Sequence, residues 1–454
     1  MTAEAPGLRR WVSSLPRFLF GAISDSLVRN SLYLMTSTAV TAGLGYVFWV
    51  LAAHVLTRAQ VGVGSAVISL CSTAALLTYL GSSATLIDRL PANEHSPRWT
   101  VIVVRVCAAT ALVTAAATAA AVMVLLASRE YREFFSSAGP VLVAVVGAAA
   151  WTLVSLFCAT FIAARRAGRY LAIQTLVSVA KVLLIVPLVA IGAGAAALVG
   201  AWVAATLLGV VAGAGWLVPR MGLGGQPGDR LLRPAPPEGD AGSHLSGAPQ
   251  EAPVGPMRLL IGQHLTSAGG ALTPLVLPVL VLIRLGAVSN AYFYITWMVG
   301  AIFFTVSPSV STVLFAEGVR ARSDLRRSVA KSLRVITVIL APAIIVMVAA
   351  GHFILRLFGA PYAAAGYPLL VLLAISAVPD AVSNVAVSVL RVTHRLAYSS
   401  LLNIGILVVS LSGAWILMPV LGITGVGVAW LGAQTLGAIA SLPAFWRSSS
   451  GPVS

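Results

Sequence analysis

Long runs of apolar residues constrain this chain more than any other feature of its sequence. A transmembrane α-helix needs about 20 apolar residues to cross about 30 Å of hydrocarbon. Charged residues make up only 9% of the chain, against about 25% in soluble domains, and mean hydropathy is +0.95. The chain is therefore predicted to be an all-α membrane protein with about twelve spans: 31–53, 62–87, 99–127, 139–164, 170–191, 195–217, 259–283, 291–316, 335–355, 366–390, 397–418 and 423–445.

A polar segment rich in Pro and Gly, residues 219–257, divides the apolar sequence near its middle. It has too little apolar surface to offset its ordering entropy, so it is predicted to be a flexible linker. Six spans on each side give both halves the same orientation, which suits a pseudo-two-fold axis along the membrane normal. In chain order, the predicted parts are a basic interfacial segment (1–30), a six-helix lobe (31–218), the linker (219–257), a second six-helix lobe (258–446) and a tail (447–454).

The positions of the basic residues predict the orientation in the membrane. With the N-terminus in the cytoplasm, 22 of the 29 Lys and Arg residues fall on the cytoplasmic side, as the positive-inside rule requires. Both termini and the linker are thus placed in the cytoplasm, and the protein in the plasma (inner) membrane. The net charge of +16 does not indicate nucleic-acid binding, because the charges lie in short loops between apolar spans. Anionic membrane lipids are the expected partner of these basic segments.

Three stretches at the ends of predicted spans carry a family resemblance: Tyr46–Gly62, Ser307–Glu317 and Leu355–Gly366. The last reads Leu-Arg-Leu-Phe-Gly-Ala-Pro-Tyr-Ala-Ala-Ala-Gly and is the most specific. With them the chain resembles the polysaccharide-biosynthesis (O-antigen-flippase-type) branch of the multidrug, oligosaccharidyl-lipid and polysaccharide exporter superfamily. His54 stands where that family commonly has Arg, and Val61 where it commonly has an aromatic residue, which leaves the substrate subclass open.

The resemblance implies two lobes around a central V-shaped cavity. It also implies that a lipid-linked oligosaccharide, on a polyprenyl-pyrophosphate carrier, moves from the cytoplasmic to the outer leaflet by alternating access. The charged head of this substrate cannot cross hydrocarbon unaided, because removing its charges and hydroxyls from water costs on the order of tens of kcal/mol. Glycosyltransferases or a polymerase of the same pathway are the further expected partners.

Two charged residues deep within predicted spans are candidates for function, because such groups are costly in a membrane. Lys181 in the fifth span is interpreted as a cation for the pyrophosphate, or as a structural lysine that snorkels or pairs with a carboxylate. Asp380 in the tenth span is interpreted as the site of a coupling H⁺ or Na⁺, as a structural hydrogen-bonding group, or as the partner of Lys181.

Further polar residues near the ends of spans complete the predicted substrate site. Each has a structural alternative, since Arg105 can snorkel to the interface and the pair Gln263 and His264 can join helices by hydrogen bonds. Two arginines that open the first and seventh spans are included with them: Arg29 and Arg258.

No enzyme signature is present, so the protein is predicted not to be an enzyme. We find no nucleotide-binding Gly-rich loop and no metal-ligand spacing, and the three cysteines lie within apolar spans, so no cofactor, metal or disulfide is expected. The alternatives are an ion-coupled multidrug antiporter of the same fold, a membrane-embedded glycan polymerase or transferase, and a scaffold without transport activity. Buried acids would favour the antiporter, and a sizeable external loop with catalytic groups would favour the enzyme.

Overall fold

The computed structural model describes residues 26–93, 98–164, 166–217, 256–320, 325–393 and 395–447. Within these ranges every regular element is an α-helix. The helices are α1 (Ser26–Val55), α2 (Arg58–Asn93), α3 (Arg98–Leu125), α4 (Arg129–Phe134), α5 (Ala138–Ala163), α6 (Ala167–Ala190), α7 (Ala195–Leu217), α8 (Pro256–Leu285), α9 (Ala287–Gly300), α10 (Phe303–Arg320), α11 (Leu325–Arg356), α12 (Ala360–Val392), α13 (Leu396–Leu421) and α14 (Ile423–Arg447).

The predicted membrane spans correspond to these helices. In the described ranges eleven helices are long and apolar enough to cross a membrane. Counted as one span, the pair α9 and α10, bent by 42°, is the twelfth. The predicted all-α, multi-pass membrane fold is therefore confirmed. Helices α1 and α8 begin a few residues before the predicted lobe boundaries. Most of the predicted N-terminal segment, linker and tail lies outside the described residues, and that division of the chain stays a prediction.

The break in the eighth span lies at residues 301–302, between Gly300 and Phe303, while Pro308 lies within α10. A Cβ on Gly300 would stand 2.7 Å from Leu373 Cδ1 of α12, so the absence of a side chain lets α9 end against that helix. The break thus coincides with a close helix–helix contact, and Pro308 lies several residues beyond it.

The helices form two groups that correspond to the predicted lobes. In the N-terminal group α6 packs on α1 and α7, and α5 packs on α2, α3 and α7. In the C-terminal group α12 packs on α10, α11 and α14, and α13 packs on α8 and α14. The pseudo-two-fold axis stays a prediction, although this division into two groups is consistent with it.

A chain of hydroxyl groups ties the N-terminal lobe together across three helices. Thr114 of α3 bonds to Thr78 of α2 at 2.6 Å and to Thr152 of α5 at 3.0 Å. Ser82 and Thr110 form a second α2–α3 bond at 2.7 Å. In lipid such bonds stabilise helix packing by about 0.6 kcal/mol each on average, because no water competes for the donors. This hydroxyl network therefore holds α2, α3 and α5 together.

The two lobes meet mainly at one end of the bundle, where α1 ends and α2 begins. We call this the closed end. There α2 packs on α8 and α9, and one hydrophobic core contains residues of both lobes, including Phe48 and Val61 on one side and Leu282 and Ile295 on the other. Towards the opposite end α1 is mostly exposed, with Met35 at 70%. The contacts between the lobes that the structure describes thus concentrate at the closed end.

Candidate functional site

The contact between α2 and α9 at the closed end depends on Gly62. A Cβ at this position would lie 1.7 Å from the carbonyl oxygen of Ala287, so only glycine allows the two backbones to approach so closely. Asn290 of α9 has no exposed surface, and its Nδ2 donates to Gly62 O at 2.7 Å and to Ser65 Oγ at 3.2 Å. These residues fix the register of one lobe against the other, and we call them the lobe latch.

Aromatic side chains extend the lobe latch on both sides. Arg58 Nη1 donates to Tyr292 Oη at 2.9 Å, and the Tyr292 ring meets Tyr362 of α12 edge to face at 5.3 Å. Nearer the membrane centre, Trp49 of α1 contacts Tyr294 of α9, with ring centroids 4.5 Å apart. The closed end is therefore sealed by aromatic contacts that are worth about 0.5–1.5 kcal/mol per pair beyond their buried area.

Helix α9 is held by glycine contacts on two sides. On the α12 side, a Cβ on Gly366 would stand 2.0 Å from Thr296 Oγ1. Gly62 ends the first stretch that carries the family resemblance, and Gly366 ends the third. Both stretches therefore pack on the same helix. The residue patterns gave no indication of this, because neither stretch is near α9 in sequence.

Lys181 lies in the seam between α6 and α1 in the N-terminal lobe. Its side chain is half-buried, and Nζ stands 5.7 Å from the centroid of the Phe48 ring, in a cation–π contact. At 1.5 Å per residue it lies about 13 Å from the Ala190 end of α6, just beneath the core of the closed end. Lys181 forms no ion pair with any described residue.

Asp380 lies in the other lobe, buried between α12 and α10. Ser307 of α10 and Asn384 of α12 stand beside its carboxyl group, whose Oδ2 has no hydrogen-bond partner among the described residues. Ser311, one turn beyond Ser307, accepts a bond through its carbonyl from Ser388 Oγ at 2.9 Å. A carboxylate held there without a cationic partner requires a proton, a cation or water, because an unpaired buried charge is costly.

The structure does not pair Asp380 with Lys181, so that alternative is wrong for this conformation. Arg105 is exposed on α3 together with Val104 and Leu112, and its role stays a prediction. The remaining predicted substrate residues have side chains outside the described set: Arg29, Arg258, Gln263 and His264. No group of three potential metal ligands occurs among the described residues.

The lobe latch includes residues that the sequence did not single out. Asn290 falls between two predicted spans and reads as a loop residue, but α9 begins at Ala287 and places it at the centre of the contact. The sequence contains two weak signals of this contact: Asn290 is an amide among mostly apolar neighbours, and Gly62 is a glycine within an apolar run.

Comparison with known proteins agrees with this architecture. Residues 27–220 match the family model described as polysaccharide biosynthesis protein. No curated protein sequence matches the chain. Among solved structures, an inward-facing multidrug resistance MATE-family transporter of the MOP superfamily is similar, with TM-score 0.64 and 16% identity over 94% of this chain and 98% of that one.

Two further structures show the same fold. One is an outward-facing MATE-family transporter, with TM-score 0.59 and 15% identity over 93% of this chain and 95% of that one. The other is a MOP-superfamily transporter from Pyrococcus furiosus, described by the reverse polarity of its binding pocket. Its TM-score is 0.60, with 15% identity over 93% of this chain and 95% of that one. The polysaccharide-biosynthesis match over residues 27–220 agrees with the family resemblance, and the solved structures show that nearly the whole chain has the multi-pass membrane fold of MOP-superfamily transporters.

Proposed function

We propose that this protein moves a lipid-linked oligosaccharide, carried on a polyprenyl pyrophosphate, from the cytoplasmic to the outer leaflet. The observation that carries the proposal is the one-sided joining of two lobes, whose described contacts concentrate at the closed end. With the termini in the cytoplasm, the opening faces the leaflet where such a substrate is made. The polysaccharide-biosynthesis match supports this class of substrate, and the reaction requires no enzymatic step.

Lys181 is proposed to bind the pyrophosphate at the inner limit of the closed end. It is a cation without an ion-pair partner among the described residues, and it stands beside Phe48 of the core that joins the lobes. When the closed end opens, the core beside Lys181 is disrupted. A phosphate bound there would therefore be exposed to each side in turn, as alternating access requires.

Asp380 is proposed to take up the coupling ion, H⁺ or Na⁺. Among described side chains it is the only acid within a span. Ser307 and Asn384 stand beside its carboxyl group, and its Oδ2 has no hydrogen-bond partner among the described residues. Oxygen ligands of this kind suit a hard monovalent cation, and a proton would neutralise the carboxyl group equally. The C-terminal lobe would then respond to the ion while the N-terminal lobe holds the phosphate.

A vesicle assay tests the transport proposal. Purified protein is reconstituted with a radiolabelled polyprenyl-pyrophosphate oligosaccharide, and the fraction accessible to an impermeant glycosidase is followed after the substrate is confined to the inner leaflet. Lys181→Ala should reduce the transfer rate at least tenfold, whereas Lys181→Arg should retain part of it, because phosphate accepts either cation. Wild-type protein that moves no substrate in vesicles would refute the proposal.

The coupling role has a separate test. Asp380→Asn preserves the shape of the side chain and removes its charge, so the variant should still bind the radiolabelled substrate but lose the acceleration produced by an imposed H⁺ or Na⁺ gradient. An unchanged gradient response would leave Asp380 as a structural hydrogen-bonding group.

The multidrug antiporter is the second candidate, because the solved structures with this fold include multidrug transporters. A site for organic cations would require acidic groups, and among described side chains the spans hold Asp380 alone. The same vesicles loaded with a fluorescent organic cation distinguish the two functions, since the flippase should leave that cation in place.

A further inference from the structure

Helix α11 carries three basic residues on one face near its N-terminus. Arg327, Lys331 and Arg334 follow one another at intervals of four and three residues, so they form a single stripe on the helix surface. All three are exposed, and none forms an ion pair or hydrogen bond with a described residue. We call these residues the α11 basic stripe.

The same helix face continues as an exposed apolar surface towards the other end. Val338, Ile345 and Phe353 lie along it with 67%, 68% and 68% of their surface exposed. Helix α11 packs mainly on α10 and α12, and it takes no part in the main contacts between the lobes. The face that carries the stripe therefore lies at the periphery of the C-terminal lobe, where the lipid surrounds it.

The length of the helix places the α11 basic stripe at the headgroup level. From Arg327 to Arg356 the helix rises about 43 Å, which equals the thickness of a bilayer with its headgroups, about 40–45 Å. Arg334 then lies about 10 Å deeper than Arg327, at the edge of the hydrocarbon, from which its side chain can reach a phosphate by snorkelling. A ligand with phosphate at this level and acyl chains along the apolar surface satisfies both parts of the face.

Basic residues at the closed end, unlike those of the α11 basic stripe, have partners on the protein. Arg58 bonds to Tyr292, Arg129 pairs with Glu133 at 2.8 Å, and Arg284 lies over the Trp415 ring at 5.0 Å. The cations of the α11 basic stripe have no such partners on the protein. They are therefore free to bind an anion from outside the described chain.

We propose that the α11 basic stripe binds the headgroup of an anionic phospholipid in the leaflet at the N-terminal end of α11, with the acyl chains along the apolar face. This site is independent of the transported substrate. Its occupant would hold the C-terminal lobe at a fixed depth in the membrane while the lobes move.

The test uses the purified full-length protein in detergent, titrated with phosphatidylglycerol or phosphatidylcholine, with bound lipid counted by native mass spectrometry. Phosphatidylglycerol should bind and phosphatidylcholine should not. Replacing Arg327, Lys331 and Arg334 together with Gln should weaken phosphatidylglycerol binding about a hundredfold, since each cation near a lipid surface contributes about a factor of five.

The control variant removes the same charge from three exposed arginines away from the stripe: Arg166 and Arg395, which lie outside α11, and Arg356, at the opposite end of α11. It should bind phosphatidylglycerol like the parent, and equal losses in both variants would overturn a specific site. If the triple variant does not fold, the single changes Lys331→Gln and Arg334→Gln should each weaken binding about fivefold. Unchanged phosphatidylglycerol binding in the variants of the α11 basic stripe would also overturn the proposal. So would binding of a polyprenyl diphosphate in place of phosphatidylglycerol.

Discussion

The substitution Gly62→Ala tests whether the lobe latch keeps the closed end shut. The new Cβ would stand 1.7 Å from Ala287 O and 2.7 Å from Ala287 C, both backbone atoms that cannot rotate away. Carbon and oxygen do not normally approach closer than about 3 Å, so α9 must move by more than about 1 Å. Such overpacking costs about 1–3 kcal/mol. Loss of the Asn290 bond to Gly62 adds about 1 kcal/mol.

The closed form should therefore be destabilised by about 2–4 kcal/mol relative to the form that is open at this end. As long as the open form remains the minor state, its population then increases about 30- to 700-fold. The assay follows the reaction of an impermeant thiol reagent with Ile295→Cys, a fully buried position in the core shared by the lobes. The labelling rate should rise by the same factor in the Gly62→Ala background.

The matched control is Gly45→Ala in α1, where a Cβ would meet no atom within 4 Å. It should leave the labelling rate unchanged, and helix propensity should make it neutral or slightly stabilising. The reasoning is refuted if Gly62→Ala labels no faster than this control while both variants are folded by circular dichroism. A rise in both variants would show instead that any change of glycine loosens the bundle.

Three further outcomes are expected. Asn290→Ala should increase labelling of the same reporter about tenfold, because it removes both bonds across the lobes without introducing a clash; an unchanged rate would contradict this. Thr114→Val should lower the free energy of unfolding by about 1–2 kcal/mol in a denaturant titration, since it removes the hydroxyl that joins three helices, whereas Thr38→Val, at an exposed position, should change it little. Ser243→Cys in the predicted linker should resist an impermeant thiol reagent in intact cells, and labelling from outside would contradict the predicted topology.

The spans could be predicted from the sequence because each depends on its own residues. Hydrocarbon requires about 20 apolar residues per helix, so the span count and most boundaries follow from local composition. The break at residues 301–302 could not be predicted in this way. It lies where Gly300 packs closely on Leu373, a residue distant in the chain.

The candidate site was predictable only in part for the same reason. Depth in a span identified Lys181 and Asp380, but their separation into different lobes depends on packing that the chain order does not specify. Asn290 was missed because its importance comes from Gly62, on a helix more than two hundred residues away. Contacts across the lobes involve pairs of residues, and a single sequence gives no information about pairs.

The two glycine contacts of α9 have a consequence for how such proteins can diverge. Any descendant with a side chain in place of Gly62 must shift this helix, because the close atom is backbone, and one with a side chain in place of Gly366 must move the Thr296 side chain. Positions 62, 287, 296 and 366 should therefore change together or not at all across related sequences. An alignment in which position 62 varies freely while position 287 stays constant would indicate a lineage that closes this end by other contacts.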